Sequence, residues 1–298
     1  MIDPDAIVAS LDGAEAELLD AEMRTALYHH GRRTARVIVL LHGLTASPRT
    51  WRDFALARRE RGETVLVPRL PRHGHRDRRT RALAGIAAGE LTGAAQQILD
   101  AAASLGDEIV LVGHSLGGAL ALHLAHADQR VSRAIAIAPF LGIRRLPHDV
   151  HALVRAVVER APNFFLYWNP LDPHGKRLPG HGYARYTSRS LAAGLAVADA
   201  LRADAVAGPP LARHVEIIRN AFETSVSNRA IEDLVARWRR AGGKGVRVHT
   251  VTGLGLSHDI VEPERPRAPA LRFLPALHAI LDAPVPERDV TIDLRNAR

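Results

Sequence analysis

Apolar residues along this chain fall into two rhythms. Residues 35–43 (ARVIVLLHG), 63–70 (ETVLVPRL), 108–114 (EIVLVGH), 133–139 (RAIAIAP), 214–220 (HVEIIRN) and 245–253 (GVRVHTVTG) are short runs rich in β-branched and apolar side chains. A strand that alternates apolar and polar positions buries one face, whereas a near-continuous apolar run buries both. Between these runs, apolar residues recur at helical spacing. That predicts helices over 48–61, 88–104, 116–127, 228–243 and 269–282, and an N-terminal helix over 4–22. Pro48 suits a first helical turn, and the glycines at 242 and 243 close the helix before them. Such alternation of apolar strand and helix predicts an α/β fold, a mostly parallel central sheet with helices on both faces.

The rhythm breaks over residues 140–210. This segment carries most of the aromatic residues and several prolines, in NFFLYWNP (163–170) and LPGHGYARY (178–186), with helical spacing at 149–160 and 188–206. The expected organisation is a sheet domain formed by residues 1–139 and 211–298, with 140–210 inserted between two strands as a mainly helical lid.

Composition adds limits. With 298 residues, of which 47% are hydrophobic, the chain can bury a large core. No run approaches the ~18 unbroken apolar residues of a membrane span. The first twenty residues are acidic and amphipathic, without the basic start and apolar centre of a secretory signal, so a cytoplasmic location is expected. Cys is absent, which excludes disulfides and thiolate metal sites. The net charge is +8, and the densest basic run is RLPRHGHRDRRTR at 69–81. It reads as a solvated loop, because no aromatic residue interrupts it to stack on bases.

The chemistry concentrates at GHSLG, residues 113–117, where the strand of 108–114 meets the helix of 116–127. A strand-to-helix turn this sharp needs small neighbours, which Gly113 and Gly117 supply. It would lift the Ser115 hydroxyl above the sheet, at a helix N-terminus that favours developing negative charge. A serine needs a base to become a nucleophile, and the base needs an orienting acid, in the chain order serine, carboxylate, histidine. His258, in GLSHDI after the last strand, is the candidate base. The acid is expected after the strand of 214–220, where the first carboxylate of RNAFETSVSN is Glu223. Asp199, in a lid helix, and Asp259, adjoining the base, are weaker alternatives. His114 and His42 read as packing or bracing residues. The oxyanion formed on attack needs fixed donors. The N–H of Leu116 and, beyond Gly43 in HGLTASP, the N–H of Leu44 are the candidates, with Thr45 supporting that loop. Phe164, Phe165, Tyr167 and Trp168 read either as lining of an acyl pocket or as lid core.

LLHGLTASP, GHSLGG, FETSVSN and GLSHDI, in this order, resemble the α/β-hydrolase fold superfamily, and within it the lidded carboxylesterases and lipase-like serine hydrolases. The resemblance covers residues 35–140 and 211–282. It implies an eight-stranded sheet, a Ser115–Glu223–His258 triad, and Leu44 and Leu116 as oxyanion donors. The chain departs from the common pattern in having Glu223 where most relatives carry Asp, and Arg72 before His73 and Gly74 where Gly is usual.

The expected function is therefore a serine-dependent carboxylic ester hydrolase of the lipase-like kind. It would act on short- to medium-chain esters through an acyl-enzyme, with no metal or organic cofactor. The expected partner is a small-molecule ester, with no nucleic acid and no stable membrane insertion. Hydrolysis of thioesters, amides or carbon–carbon bonds by the same residues is the nearest alternative. A non-catalytic receptor on the same fold is a distant one. Dehalogenase and epoxide hydrolase chemistry would need a carboxylate at position 115.

Overall fold

The computed structural model describes residues 3–176, 178–265 and 268–295. In chain order the elements are α1 (Pro4–Asp12), β1 (Ala26–Tyr28), β2 (Thr34–Leu41), α2 (Arg52–Glu60), β3 (Thr64–Val67), α3 (Ala88–Leu105), β4 (Gly106–His114), α4 (Leu116–Ala127) and β5 (Val131–Ile137). There follow α5 (His148–Arg160), β6 (Phe165–Tyr167), β7 (Arg185–Thr187), α6 (Ser188–Ala207), β8 (His214–Asn220), α7 (Asn228–Arg240), β9 (Val246–Thr252), α8 (Ala270–Asp282) and β10 (Val290–Asp293). Eight strands form one sheet in the order β1-β3-β2-β4-β5-β8-β9-β10. Only β1 runs antiparallel to its neighbour; every other pairing is parallel.

The apolar runs of β2 to β5 and β8 are largely buried on both faces, as their lack of alternation requires, whereas β9 is only partly buried. Along β2, Val37, Val39 and Leu41 join a core with α3, α4, α6 and α7, while Ile38 and Leu40 join a second core with α2 and α8. All six predicted strands are present. The N-terminal helix is shorter than its pattern suggests. It stops at Gly13, whose φ of 58° breaks the helix, and short 3-10 turns follow over Gly13–Leu18 and Ala21–Met23.

Between β5 and β8 the chain leaves the sheet for α5, the antiparallel pair β6–β7 and α6. This excursion is tied down where it starts. Arg144 N–H bonds Ser225 O at 2.9 Å, and Ser227 N–H bonds Gly142 O at 2.9 Å, joining it to the loop after β8. No helix among the described residues is long and apolar enough to cross a membrane.

The junction of β4 and α4 depends on the absence of side chains. A Cβ on Gly113 would lie 2.1 Å from Gly117 O, and one on Gly117 would lie 2.4 Å from Leu41 O. Both contacts are with backbone, which cannot rotate away. Gly117→Ala is therefore expected to cost about 3 kcal/mol of stability, at the upper end for overpacking. A urea unfolding midpoint close to that of the wild type would contradict this.

Candidate active site

Ser115 has φ 54° and ψ −115°. A non-glycine residue in this region is strained and persists only where its surroundings over-determine it. Here the backbone is held on both sides. Ser115 N–H bonds Ile137 O at 3.0 Å, and Ser115 O accepts from Ala119 N–H at 3.0 Å and Phe140 N–H at 2.9 Å. The result is a hydroxyl that projects from the end of β4 at the first turn of α4.

The structure brings the three separated sequence candidates into one hydrogen-bonded line. His258 Nε2 lies 2.9 Å from Ser115 Oγ, and His258 Nδ1 lies 3.0 Å from Glu223 Oε1. Glu223 is 4% exposed, and the same Oε1 accepts backbone N–H groups from Thr224 at 2.7 Å and Ser225 at 2.8 Å. The longer glutamate side chain thus curls over its own loop and still reaches the imidazole. Of the alternative carboxylates, Asp199 pairs with Arg155 at 3.0 Å within the excursion, and Asp259 pairs with Arg265 at 2.5 Å.

The electrostatics follow from this line. Burial disfavours a charged His258, but the hydrogen bond and negative charge of Glu223, assisted by Asp259, outweigh it and hold the imidazole above its ordinary value. Burial pushes Glu223 upward. The hydrogen bond and charge of His258 and the N–H groups of Ser225 and Thr224 overcome this and keep the carboxyl below its usual range. His114, whose Nε2 lies 3.0 Å from His258 O, is pushed down to about 4 by burial and then by the neighbouring His258. It therefore braces the His258 loop as a neutral ring. Among the described residues, His114, His258 and Asp259 are the one group whose ligating atoms cluster closely enough for a metal ion, within 4.8 Å. Both His258 nitrogens already face Ser115 and Glu223, so a metal there would displace one of those contacts.

The loop after β2 closes over Ser115, with the Cβ position of Gly43 3.5 Å from Ser115 Cβ. Leu44 and Leu116 therefore follow backbone on two sides of the hydroxyl. The loop is braced by histidines. His42 Nε2 accepts Leu70 N–H at 3.1 Å, and His73 Nε2 bonds Leu44 O. Thr45 Oγ1 accepts from Trp168 Nε1 at 2.8 Å, which links this loop to the excursion.

A cavity of about 280 Å³ opens beside Ser115, walled by Leu44, Phe140, Ile143, Trp168, Tyr186, Leu191 and Val226. Of the four expected lining aromatics, Trp168 alone faces it. Phe164, Phe165 and Tyr167 do not. Alternate residues of a strand point to opposite faces, so Phe165 and Tyr167 share the other side of β6. There the Arg185 guanidinium stacks on Phe165 at 3.9 Å. Phe164 is 50% exposed. The walls that sequence reading missed, Phe140, Ile143, Tyr186, Leu191 and Val226, come from three separate stretches of the chain and carry no local signal. The Trp168 and Tyr186 rings, 4.7 Å apart, form one corner.

The basic run at 69–81 is not simply a solvated loop. Arg69 is 5% exposed and pairs with Glu15 at 2.7 Å. Arg72 turns onto Glu90 at 2.9 Å, so its charge is neutralised. Arg78 donates to Gly182 O and Pro179 O, both at 2.8 Å, and so pins the excursion. These partners lie far away in sequence, so the run carries no local sign of them.

Residues 38–273 match the Alpha/beta hydrolase family, and the chain belongs to that family. No curated protein sequence matches it. Several solved structures share the fold. One, reported with the metagenome-derived lipolytic enzymes LipS and LipT, is 16% identical, with 88% of this chain and 99% of that chain covered and a TM-score of 0.63. The monoacylglycerol lipase of Paleococcus ferrophilus is 17% identical over 86% of this chain and 97% of its own, with a TM-score of 0.63. The monoglyceride lipase of Saccharomyces cerevisiae, in complex with a substrate analogue, is 12% identical over 87% of this chain and 91% of its own, with a TM-score of 0.66.

Proposed function

We propose that the protein is a serine carboxylic ester hydrolase for short- to medium-chain acyl groups. The observation that carries this reading is the unbroken line from the strained Ser115 through His258 to the buried Glu223, at 2.9 and 3.0 Å. Ser115 Oγ attacks the acyl carbon as its proton passes to His258 Nε2, and Glu223 stabilises the imidazolium. The N–H groups of Leu44 and Leu116 receive the oxyanion. The tetrahedral intermediate collapses, and the leaving alkoxide takes the proton from His258. Water then repeats the cycle against the acyl-enzyme and releases the acid. The scheme uses only side chains and backbone of this chain, plus water.

Residues 140–210 act as a lid in this reading. Support comes from Phe140, Ile143, Trp168, Tyr186 and Leu191, which wall the cavity at Ser115. At about 280 Å³ the cavity lies at the small end of ligand sites, which run from ~300 to ~1,000 Å³. It suits a short or medium chain, because each buried CH₂ contributes ~0.8 kcal/mol only until the wall is reached. With p-nitrophenyl esters from acetate to palmitate, kcat/KM is expected to rise to an optimum between butyrate and octanoate and then fall. Trp168→Ala should move that optimum to longer chains. A wild type that prefers palmitate, or emulsified long-chain triglyceride, would contradict the closed acyl pocket.

A further inference from the structure

The inner end of the cavity at Ser115 belongs to a small core of its own. Ala138, Phe140, Leu195 and Val226 pack together there, with Ile143 and Leu191 against them, apart from the two cores that flank the sheet. Phe140 and Val226 are 7% and 2% exposed, whereas Trp168, on the same cavity, is 44% exposed. Trp168 therefore stands at the mouth, and Phe140 and Val226 close the deep end.

The backbone of Phe140 is pinned. Its N–H donates to Ser115 O at 2.9 Å, Ala138 N–H donates to Ile218 O at 2.8 Å, and Leu141 N–H turns back onto Pro139 O at 2.9 Å. Only rotation of the side chain is left to Phe140. Behind its ring lies α6. Gly194 is the only glycine of that helix, and a Cβ built there would lie 2.7 Å from Phe140 Cε1 and 2.8 Å from Phe140 Cδ1. Carbon atoms in contact sit about 3.5–4.0 Å apart, so the ring occupies the space that a side chain at 194 would take. Leu191, one turn earlier on the same face of α6, lines the cavity, and Gly194 does not. Glycine weakens a helix interior relative to alanine; here its missing side chain is what lets the ring lie back against the helix.

A methyl group at 194 leaves the ring one place to go. With its backbone fixed and α6 behind it, the ring turns into the cavity and shortens it from the inner end.

We propose that Gly194, which touches no substrate, is a specificity-determining residue: it positions Phe140 against α6 and thereby sets how long an acyl chain the cavity accepts. The inference rests on the esterase reading and places the far end of the acyl chain against the Phe140 ring. The test compares the wild type, Gly194→Ala, Phe140→Ala and the double variant on p-nitrophenyl acetate, butyrate, hexanoate and octanoate, with a melting curve for each protein. In Gly194→Ala the ratio of kcat/KM for octanoate to that for acetate is expected to fall about tenfold or more, since each methylene shut out forfeits about fourfold. Phe140→Ala should raise that ratio. In its background there is no ring to displace, so adding Gly194→Ala should leave the raised ratio where it is, a rescue that a general loss of packing would not give. A folded Gly194→Ala with the wild-type ratio, or a ratio that falls equally in both backgrounds, would overturn the proposal and leave the esterase reading intact. If Gly194→Ala fails to fold, a double variant that folds with the raised ratio supports the contact, and one that also fails to fold overturns it. A wild type that hydrolyses none of the four esters would instead remove the esterase reading, and this inference with it.

Discussion

Ser115→Ala is expected to fold normally and to lose esterase activity by about four orders of magnitude or more, because removing the nucleophile leaves only binding and oxyanion stabilisation. The fold should survive, since the backbone hydrogen bonds of Ser115 to Ile137, Ala119 and Phe140 do not involve the hydroxyl. Circular dichroism and thermal melting of the variant should overlay the wild type, while steady-state hydrolysis of p-nitrophenyl butyrate falls to background. A folded variant that keeps more than about a hundredth of the rate would place the nucleophile elsewhere.

The second large effect belongs to Glu223. In the proposed mechanism its carboxylate orients His258 and stabilises the imidazolium, an interaction that strengthens as the proton arrives. Glu223→Gln should therefore lower kcat by about a thousandfold or more and leave KM nearly unchanged. Glu223→Asp should retain part of the activity, because the shorter side chain cannot hold both the imidazole and the N–H groups of Thr224 and Ser225.

The pH profile gives an independent readout. In the proposed mechanism His258 is the base, a role open only to the neutral ring, and its environment holds it above the ordinary imidazole value of about 6.5. In the wild type kcat/KM should thus rise with pH along a limb above that value. In Glu223→Gln the carboxylate charge is gone while the burial remains, so the limb should move to lower pH even as the plateau drops. His114, held at about 4, does not titrate in this range. A limb that stays in place on loss of Glu223 would mean that another group sets the basicity of His258.

Much of this architecture is legible in the amino-acid sequence alone. The six central strands announce themselves because their runs are mostly apolar and β-branched, and the ionisable residues that interrupt β5, β8 and β9, Arg133, Glu216 and His249, are buried by pairing with one another. The two that escape notice, β1 and β10, are edge strands of three and four residues. The VTID of β10 alternates between partly buried and exposed positions, too short a pattern to stand out. The site is legible for a different reason. Ser115, Glu223 and His258 each follow a recognisable strand, and parallel strands deliver their C-terminal ends to one edge of the sheet. The cavity walls and the ion pairs of the basic run are not legible, because they are made by residues far apart in the chain. Trp168 and Phe165 look alike in sequence, since the direction a side chain takes on or just after so short a strand as β6 depends on what that strand packs against. The two loops that carry Glu223 and His258 are joined by Asn220, whose amide donates to Gly255 O at 3.0 Å and Ser257 O at 2.8 Å. Nothing in the sequence around it marks that task.

If Ser115 is an activated nucleophile, covalent capture will find it. A fluorophosphonate reacts with an activated serine hydroxyl and leaves an adduct that peptide mass spectrometry locates. One adduct per chain is expected, on the peptide containing Ser115, with labelling abolished in Ser115→Ala and strongly slowed in Glu223→Gln. An adduct on a different serine, or an unlabelled protein that still hydrolyses p-nitrophenyl butyrate, would contradict this expectation.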